Sequence, residues 1–237
     1  GEGTGSRPDL DKYDQYYRHL VLWDEDKLTI AGAYRLGEVD KILHSKGLKG
    51  LYTAELFDYQ PTVMARLEQS LELGRSFVHP HYWGKASLDY LWRGLGAYLR
   101  HNPHIRYLIG PVSMSAHYPK NLRDALVYYY QRYYCAPEQR NGDFPAESLA
   151  DGKHPHEIDE DELIHLQHKF ANLNRDEGFD VLQEKFAAQN QKIPVLFKQY
   201  AALYHEGGYE LLAFSVDSEF GNCVDGLFMA DLTAMKD

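Results

Sequence analysis

The stretch "LELGRSFVHPHYWGKASLDYLWRGL" (Leu71–Leu95) contains the pattern that decides the fold. It begins with a strand pattern, "LELGRSFV", and runs into an amphipathic helix pattern, "ASLDYLWRGLGAYLR", with apolar residues at helical spacing. The next segment, "IRYLIGPV", is again typical of a strand. Together the three segments predict a strand, helix, strand crossover, which is the connection that two parallel strands need.

Glycine interrupts this stretch first at Gly74. Glu72 and Arg75 are three residues apart, so they would point to opposite faces of a regular strand. A β-bulge at Gly74 would bring both side chains toward one site and leave a backbone group without its ladder partner. A free backbone donor beside a Glu and an Arg is suited to holding an acyl carbonyl and a reacting amine.

The second interruption, Gly84, comes just before the predicted helix. In "HYWGKAS", Gly84, Lys85 and Ala86 lie where free N–H groups and the positive end of the helix dipole attract phosphate oxygens. Small residues there allow close approach. The order of strand, bulge, small-residue loop and helix therefore indicates a bound thioester that carries phosphate.

The remaining patterns predict a single α/β domain over residues 1–237 with a helical insertion near 136–192. "HLVLWDEDKLTIAGAYRL" predicts a β-hairpin, "NLRDALVYYYQRYY" predicts a helix, and "YELLAFSVDSEFGNCVDGLFMADL" predicts two strands joined by a turn. Between them, residues 136–157 contain several Gly and Pro residues and are expected to form a loop. Two or three short helices are expected between residues 163 and 203.

The composition is that of an ordinary globular protein. The chain has 237 residues, 44% of them hydrophobic, and a formal net charge of −10, which argues against a general nucleic-acid binder. Its two cysteines, Cys135 and Cys223, are too few for a disulfide framework, and we expect both to be buried and reduced. Neither a secretory signal nor an apolar run of about 18 residues is present. We therefore expect a cytoplasmic protein.

In the stretch that contains Gly74 and Gly84, the sequence resembles the GNAT superfamily of N-acetyltransferases. That superfamily carries a Q/R-x-x-G-x-G/A loop after its bulged fourth strand, and the matching segment is His81 to Ala86, with His in the first position. The hemolysin-like branch, which includes ornithine-lipid N-acyltransferases, resembles this sequence in "HLVLWDEDKLTIAGAYRL", "LYTAELFD", "LELGRSFVHPHYWGKASLDYLWRGLGAYL" and "IPVLFKQY". The piece "ELGRSF" is also similar to the E-L-S-R-F of acyl-homoserine lactone synthases. The resemblance implies a GNAT-like fold, a mixed twisted sheet with a bulged central strand and flanking helices.

The same resemblance implies a function in lipid biosynthesis. The expected reaction moves an acyl chain, such as a 3-hydroxyacyl chain, from the phosphopantetheine thioester of acyl carrier protein to a small amine such as ornithine. Contact with the inner membrane through the product is a further expectation. Relatives of this kind carry elements before the first strand, so the chain is expected to be a fragment. Two alternatives stay open: an acetyltransferase that uses acetyl-CoA or another acyl-CoA, and a non-catalytic GNAT-like module of a fused protein.

The candidate catalytic residues lie on the predicted strands and the second helix. Glu72 is the candidate general base, with a structural salt bridge to Arg75 as the equal alternative. Arg75 and Arg35 are candidates for holding the base or the carboxylate of the acceptor, and the alternative is an ordinary ion pair between strands. By resemblance, Tyr129 would protonate the leaving thiolate, although its place on an apolar stripe also fits core packing.

The candidate donor-binding set is Val78, Gly84, Lys85, Ala86 and Ser87. Ser113, at the end of a strand, is a candidate for lining the pantetheine channel, and loop capping is its alternative. Basic residues between positions 85 and 135 would dock an acidic carrier.

No metal site is expected from the sequence. His79 and His81 alternate along a strand edge, and His165 and His168 have helical spacing, as metal ligands do in known sites. However, no Cys or carboxylate completes either pair.

Overall fold

A computed structural model describes residues 10–84, 86–135, 140–141, 144–145 and 149–236. Within this part of the chain there are two compact units. The N-terminal unit contains residues 10–55 and 64–110, and the C-terminal unit contains residues 56–63 and the described residues from 111 onward. None of the helices in the described ranges is long and apolar enough to cross a bilayer.

The regular elements follow the order that the sequence patterns predict. The strands are β1 (Arg18–Asp24), β2 (Thr29–Glu38), β3 (Phe57–Tyr59), β4 (Ser70–Val78), β5 (Tyr107–Met114), β6 (Arg140–Asn141), β7 (Phe144–Pro145), β8 (Ala150–Gly152), β9 (Tyr209–Asp217) and β10 (Cys223–Asp231). The helices are α1 (Val39–Lys46), α2 (Met64–Leu67), α3 (Ser87–His101), α4 (Lys120–Tyr134), α5 (Glu160–Phe170), α6 (Arg175–Ala187) and α7 (Val195–Ala202).

The N-terminal unit is built on a mixed sheet in the order β1-β2-β4-β5. The β1-β2 hairpin and the β2-β4 pair are antiparallel, whereas β4 and β5 run parallel from Ser70↔Tyr107 to Glu72↔Ile109. Helix α3 connects the two parallel strands and buries Leu91 and Leu95. The predicted crossover and the α/β class with a mixed, bulged sheet and flanking helices are therefore confirmed.

The C-terminal unit contains the predicted hairpin and a largely aromatic core. Strands β9 and β10 pair antiparallel from Cys223↔Asp217 to Ala230↔Tyr209. The turn over residues 218–222 places both Gly221 and Asn222 at positive φ, a conformation that Gly and Asn adopt more readily than other residues. The fully buried aromatic side chains of this unit include Tyr128, Tyr129, Tyr130, Phe170, Phe186 and Phe197. Cys135 and Cys223 are both buried, and neither forms a disulfide bond.

The expected loop at 136–157 is wrong in two places. Residues 140–141 and 144–145 form β6 and β7, which pair antiparallel with each other. Residues 150–152 form β8, which pairs antiparallel with β3. Gly152, the last residue of β8, has the residue type of a loop signal. A side chain at this position would overlap the backbone carbonyl of Phe214, so the glycine allows close packing. Residues 136–139, 142–143 and 146–148 lie outside the described residues. The single-domain and fragment expectations stay predictions.

Two glycines of the N-terminal unit allow a matched test of this packing. A Cβ on Gly110 would overlap the backbone carbonyl of Leu73, whereas a Cβ on Gly96, inside α3, would meet nothing within 4 Å. We expect Gly110→Ala to lower the free energy of unfolding by about 1–3 kcal/mol. Gly96→Ala should raise it by about 0.5–1 kcal/mol, because alanine favours the helix. Urea denaturation of both variants measures the difference, and equal effects would contradict the β4-β5 packing.

Candidate active site

The Glu72 carboxyl group lies buried inside the N-terminal unit. Glu72 is 1% exposed and lies opposite Gly37 on β2. It accepts hydrogen bonds from the Tyr17 hydroxyl, the Thr53 N–H at 2.7 Å and the Tyr52 N–H at 3.3 Å. Burial raises the pKa of Glu72, and these hydrogen bonds act in the opposite direction. The site therefore holds a carboxyl group that takes up a proton more readily than an exposed one.

Arg35, the second predicted arginine, is enclosed in an ion-pair network. It is 1% exposed, and its Nη1 donates to Asp11 Oδ2 at 2.6 Å and to Asp14 Oδ1 at 3.2 Å. Its guanidinium carbon also lies 5.1–5.5 Å from the ring centres of Tyr13, Tyr17 and Tyr52. These contacts place Arg35 as a support for Asp11 and the tyrosines, and not as a group that faces solvent.

Arg75 shares Asp11 with Arg35. Its Nη2 donates to Asp11 Oδ2 at 3.0 Å, and its side chain is 32% exposed. Burial raises the pKa of Asp11, but the hydrogen bond and charge of Arg35 and the charge of Arg75 outweigh it and hold that pKa below the usual value. Asp11 is therefore a carboxylate that bridges the buried arginine and the partly exposed one.

The bulge of β4 lies just after the predicted position, Gly74. On β2, Ala33 and Arg35 are two residues apart, but their partners on β4, Phe77 and Gly74, are three apart. The residue with positive φ is Arg75, at 44°, and a Cβ on Gly74 would meet nothing within 4 Å. The bulge is confirmed, but Arg75 carries its unusual backbone conformation.

The predicted donor loop has the geometry of an uncapped helix start. Gly84 has a φ of 71°, which favours glycine, and α3 begins at Ser87 with Ala86 as its N-cap and no side-chain capping bond. The first N–H groups of α3 therefore have no side-chain acceptor and suit phosphate oxygens. Val78, at the end of β4, uses its carbonyl to accept the Trp83 indole N–H at 2.8 Å. Lys85 lies outside the described residues.

The two predicted site residues of the C-terminal unit, Tyr129 and Ser113, both form hydrogen bonds within that unit. Tyr129 is buried, its hydroxyl donates to the Arg175 carbonyl at 3.1 Å, and burial raises the pKa of its phenol. Ser113 is hydrogen-bonded to Asp225, a buried carboxyl group whose pKa burial raises to about 7. The contacts of Tyr129 favour a packing role, and its role as proton donor stays a prediction.

The sequence did not single out Tyr17, Asp11 or Asp225. Asp11 and Asp14 form a capping box at the short helix Lys12–Gln15, and that D-x-x-D spacing was the available signal. Nothing in the sequence links Tyr17 with Glu72, because the two are 55 residues apart and meet only through the fold.

Comparison with known proteins agrees with this geometry. Residues 1–93 match the family model described as an acetyltransferase (GNAT) domain. A glycine N(alpha)-acyltransferase of Phocaeicola vulgatus is 30% identical, with 86% of this chain and 63% of the relative covered. A protein of the same name from Bacteroides thetaiotaomicron is 29% identical over 94% of this chain and 66% of the relative.

A third relative matches a shorter region. The L-ornithine N(alpha)-acyltransferase of Brucella abortus is 36% identical, over 39% of this chain and 34% of the relative. The chain thus spans somewhat less than two thirds of the glycine N(alpha)-acyltransferases that it resembles. The mixed sheet with its bulged strand and the match of residues 1–93 show a GNAT domain, and the relatives support its placement in an N-acyltransferase branch.

Proposed function

We propose that this chain contains the catalytic domain of an N-acyltransferase that moves an acyl group from a phosphopantetheine thioester to the α-amino group of an amino acid. The observation that carries the proposal is the buried Glu72 carboxyl group on the bulged strand, with Arg75 after it. The relatives that align over 86% and 94% of the chain are named for glycine, and the one that aligns over 39% is named for ornithine. Glycine is therefore the first acceptor to test and ornithine the second.

The proposed reaction needs one group that accepts a proton. The amine nitrogen attacks the thioester carbonyl carbon, a C–N bond forms, the C–S bond breaks, and the thiolate takes a proton from solvent. The amine proton passes to Glu72, since a carboxylate with a raised pKa suits general base catalysis. Because Glu72 is enclosed, we propose that the proton reaches it through the Tyr17 hydroxyl or through a water molecule.

Arg75 is the proposed partner of the acceptor carboxylate. Its side chain is 32% exposed, whereas Arg35 is 1% exposed and paired with Asp11 and Asp14. A planar guanidinium binds a carboxylate through two parallel hydrogen bonds. We therefore revise the role of Arg35 from substrate ligand to a positioning residue, which holds Asp11 and through it Arg75.

Acyl carrier protein is the proposed donor, with a long acyl chain and a role in lipid biosynthesis. The loop from Gly84 to Ser87 would hold the phosphate of the pantetheine arm at the start of α3. Arg93 and Arg100 are both exposed on α3, seven residues apart and thus on one face of the helix. Since the whole chain has a net charge of −10, docking of an acidic carrier needs a local basic surface of this kind.

Two other functions have specific support. The matching family model is described as an acetyltransferase domain, which favours acetyl-CoA as donor. His81 occupies the first position of the donor loop in place of Gln or Arg, and this departure favours a non-catalytic module. The His81 Nε2 atom lies 2.8 Å from Lys27 Nζ. Assays with both donors separate these two functions from the proposed one.

The first test is a mass-spectrometric transfer assay. The protein is given long-chain 3-hydroxyacyl carrier protein or acetyl-CoA, with glycine or ornithine as acceptor. We expect N-acylglycine from the carrier thioester, and we expect Glu72→Gln to lower kcat by about 10²- to 10⁴-fold, because the proton acceptor is removed. The matched control is Glu219→Gln, which changes an exposed carboxylate at the β9-β10 turn.

The outcomes of this assay separate the alternatives. Product from acetyl-CoA alone would support the acetyltransferase. Absence of product from either donor, in a folded chain and in the full-length gene product, would support the non-catalytic module. Full activity of a folded Glu72→Gln variant would remove Glu72 as the base.

The Tyr17 hydroxyl gives a second prediction, on pH dependence. Its hydrogen bond favours the charged form of Glu72 and so lowers the pKa of that carboxyl group. In Tyr17→Phe the pKa of Glu72 rises, so the limb of the rate profile that increases with pH should move upward by about 1–2 pH units. Tyr16→Phe is the control, because the Tyr16 hydroxyl donates to the Gly50 carbonyl. An unmoved limb in Tyr17→Phe would contradict the pairing with Glu72.

The proposed docking face gives a third prediction. Reversing both charges, in Arg93→Glu with Arg100→Glu, should weaken carrier binding at low salt by about tenfold or more, since both partners are then acidic. The control with the same charge change is Lys169→Glu with Lys192→Glu, two exposed lysines of the C-terminal unit. Biolayer interferometry with immobilised carrier measures the affinities. Equal affinity of the two double variants would rule out docking on this face of α3.

A further inference from the structure

The N-terminal unit has a surface cleft that the acyl-transfer proposal does not use. Three separate parts of the chain form it: helix α1, the residues before β4 and the residues before β5. Its lining residues are Asp40, Leu43, His44, Glu68, Gln69 and His104. Five of these six side chains carry a nitrogen or oxygen atom, which makes the cleft a place for a polar or charged ligand.

Two side chains of this cleft, Asp40 and His104, lie close to Glu38 at the start of α1, and the three have a separation near that of metal ligands. Glu38, Asp40 and His104 each offer one ligand atom, and these atoms all lie within 4.8 Å of one another. His104 Nε2 is 3.9 Å from Glu38 Oε2 and 3.8 Å from Asp40 Oδ2. Ligand atoms about 2.0–2.2 Å from a tetrahedral zinc ion lie about 3.4 Å apart. The two distances from His104 exceed this separation by about half an ångström, and the Glu38 and Asp40 atoms lie within 4.8 Å of each other, so the three side chains would have to close around one ion.

The buried carboxylate of Glu38 points to a bound cation. Its side chain is 6% exposed, and its Oε2 atom is buried without a hydrogen bond of good geometry. The charge next to Oε2 is the Lys41 ammonium, whose own side chain is 60% exposed. Oε1 accepts from the Tyr98 hydroxyl at 2.8 Å and pairs with Arg18 at 3.3 Å, and these contacts fix the direction of the carboxylate. Glu38 is thus an oriented, buried carboxylate that already faces a displaceable cation.

We propose that Glu38, Asp40 and His104 bind a divalent transition-metal ion of the zinc class. One imidazole and two carboxylates suit zinc. Cu(I) prefers soft thiolate and thioether ligands, and none of these three side chains supplies one. His44 and Glu68 line the same cleft and, with water, are the candidates for the fourth ligand. The ion takes the place of the Lys41 ammonium beside Glu38. The site joins α1 to the segment before β5, and it does not depend on the proposed acyl transfer.

Isothermal titration calorimetry of the full chain with Zn²⁺ tests the proposal. We expect one saturable site, and a loss of affinity of about tenfold or more in His104→Ala and in Asp40→Asn, since each removes a ligand. Lys41→Ala should tighten binding, because the competing ammonium is gone. The control is His205→Ala, an exposed histidine of the C-terminal unit. It should bind like the unaltered chain.

A second readout keeps the test decisive if a variant binds metal elsewhere. Zn²⁺ should raise the melting temperature of the unaltered chain and of His205→Ala, but not of His104→Ala. If His104→Ala does not fold, Asp40→Asn decides, because the Asp40 side chain is 42% exposed and its change leaves the core intact. Absence of saturable binding to the unaltered chain, or equal affinity in the ligand variants, would overturn the proposal.

Discussion

Burial of the Glu72 carboxyl group is the constraint on which the N-terminal unit depends. An ionised carboxylate taken out of water costs several kcal/mol unless donors replace its lost hydration. The replacements are the hydroxyl groups of Tyr17 and Thr53 and the backbone N–H groups of Tyr52 and Thr53. They come from two segments far from β4 in sequence. The segment before β1 and the segment after α1 must therefore meet over the bulged strand.

The buried Arg35 guanidinium extends the same constraint to the bulge. Its charge is balanced by Asp11 and Asp14 and faces three tyrosine rings, one of which belongs to Tyr17, the donor to Glu72. Asp11 also binds Arg75, whose φ of 44° is the unusual conformation at the bulge. An ion pair of this kind stabilises the strained residue from outside the strand. Replacing Arg35 would therefore remove a buried positive charge and also alter the positions of Glu72 and Arg75.

Much of the fold was predictable because it follows local periodicity. Alternation predicted the β1-β2 hairpin and β4, and helical spacing predicted α3 and α4. β8 was missed because its three residues are short and end in Gly152, whose purpose is contact with a carbonyl on a distant strand. Sequence patterns report what a residue does for its own segment. They do not report close packing against a segment elsewhere in the chain.

The site shows the same limit more sharply. The sequence selected Glu72, Arg75 and Arg35 by type and spacing, yet it had no means to separate the two arginines. Arg35 is 1% exposed and Arg75 is 32% exposed, although both pair with Asp11, which precedes β1. The group of Glu38, Asp40 and His104 was not predicted for a similar reason, since the histidine is 64 residues from the nearer acid along the chain. The grouping of metal ligands depends on the assembled sheet, and so does the solvent exposure of each charged side chain. The roles of individual residues in this domain are therefore decided by partners that the sheet brings together, whereas its architecture is decided by patterns within each segment.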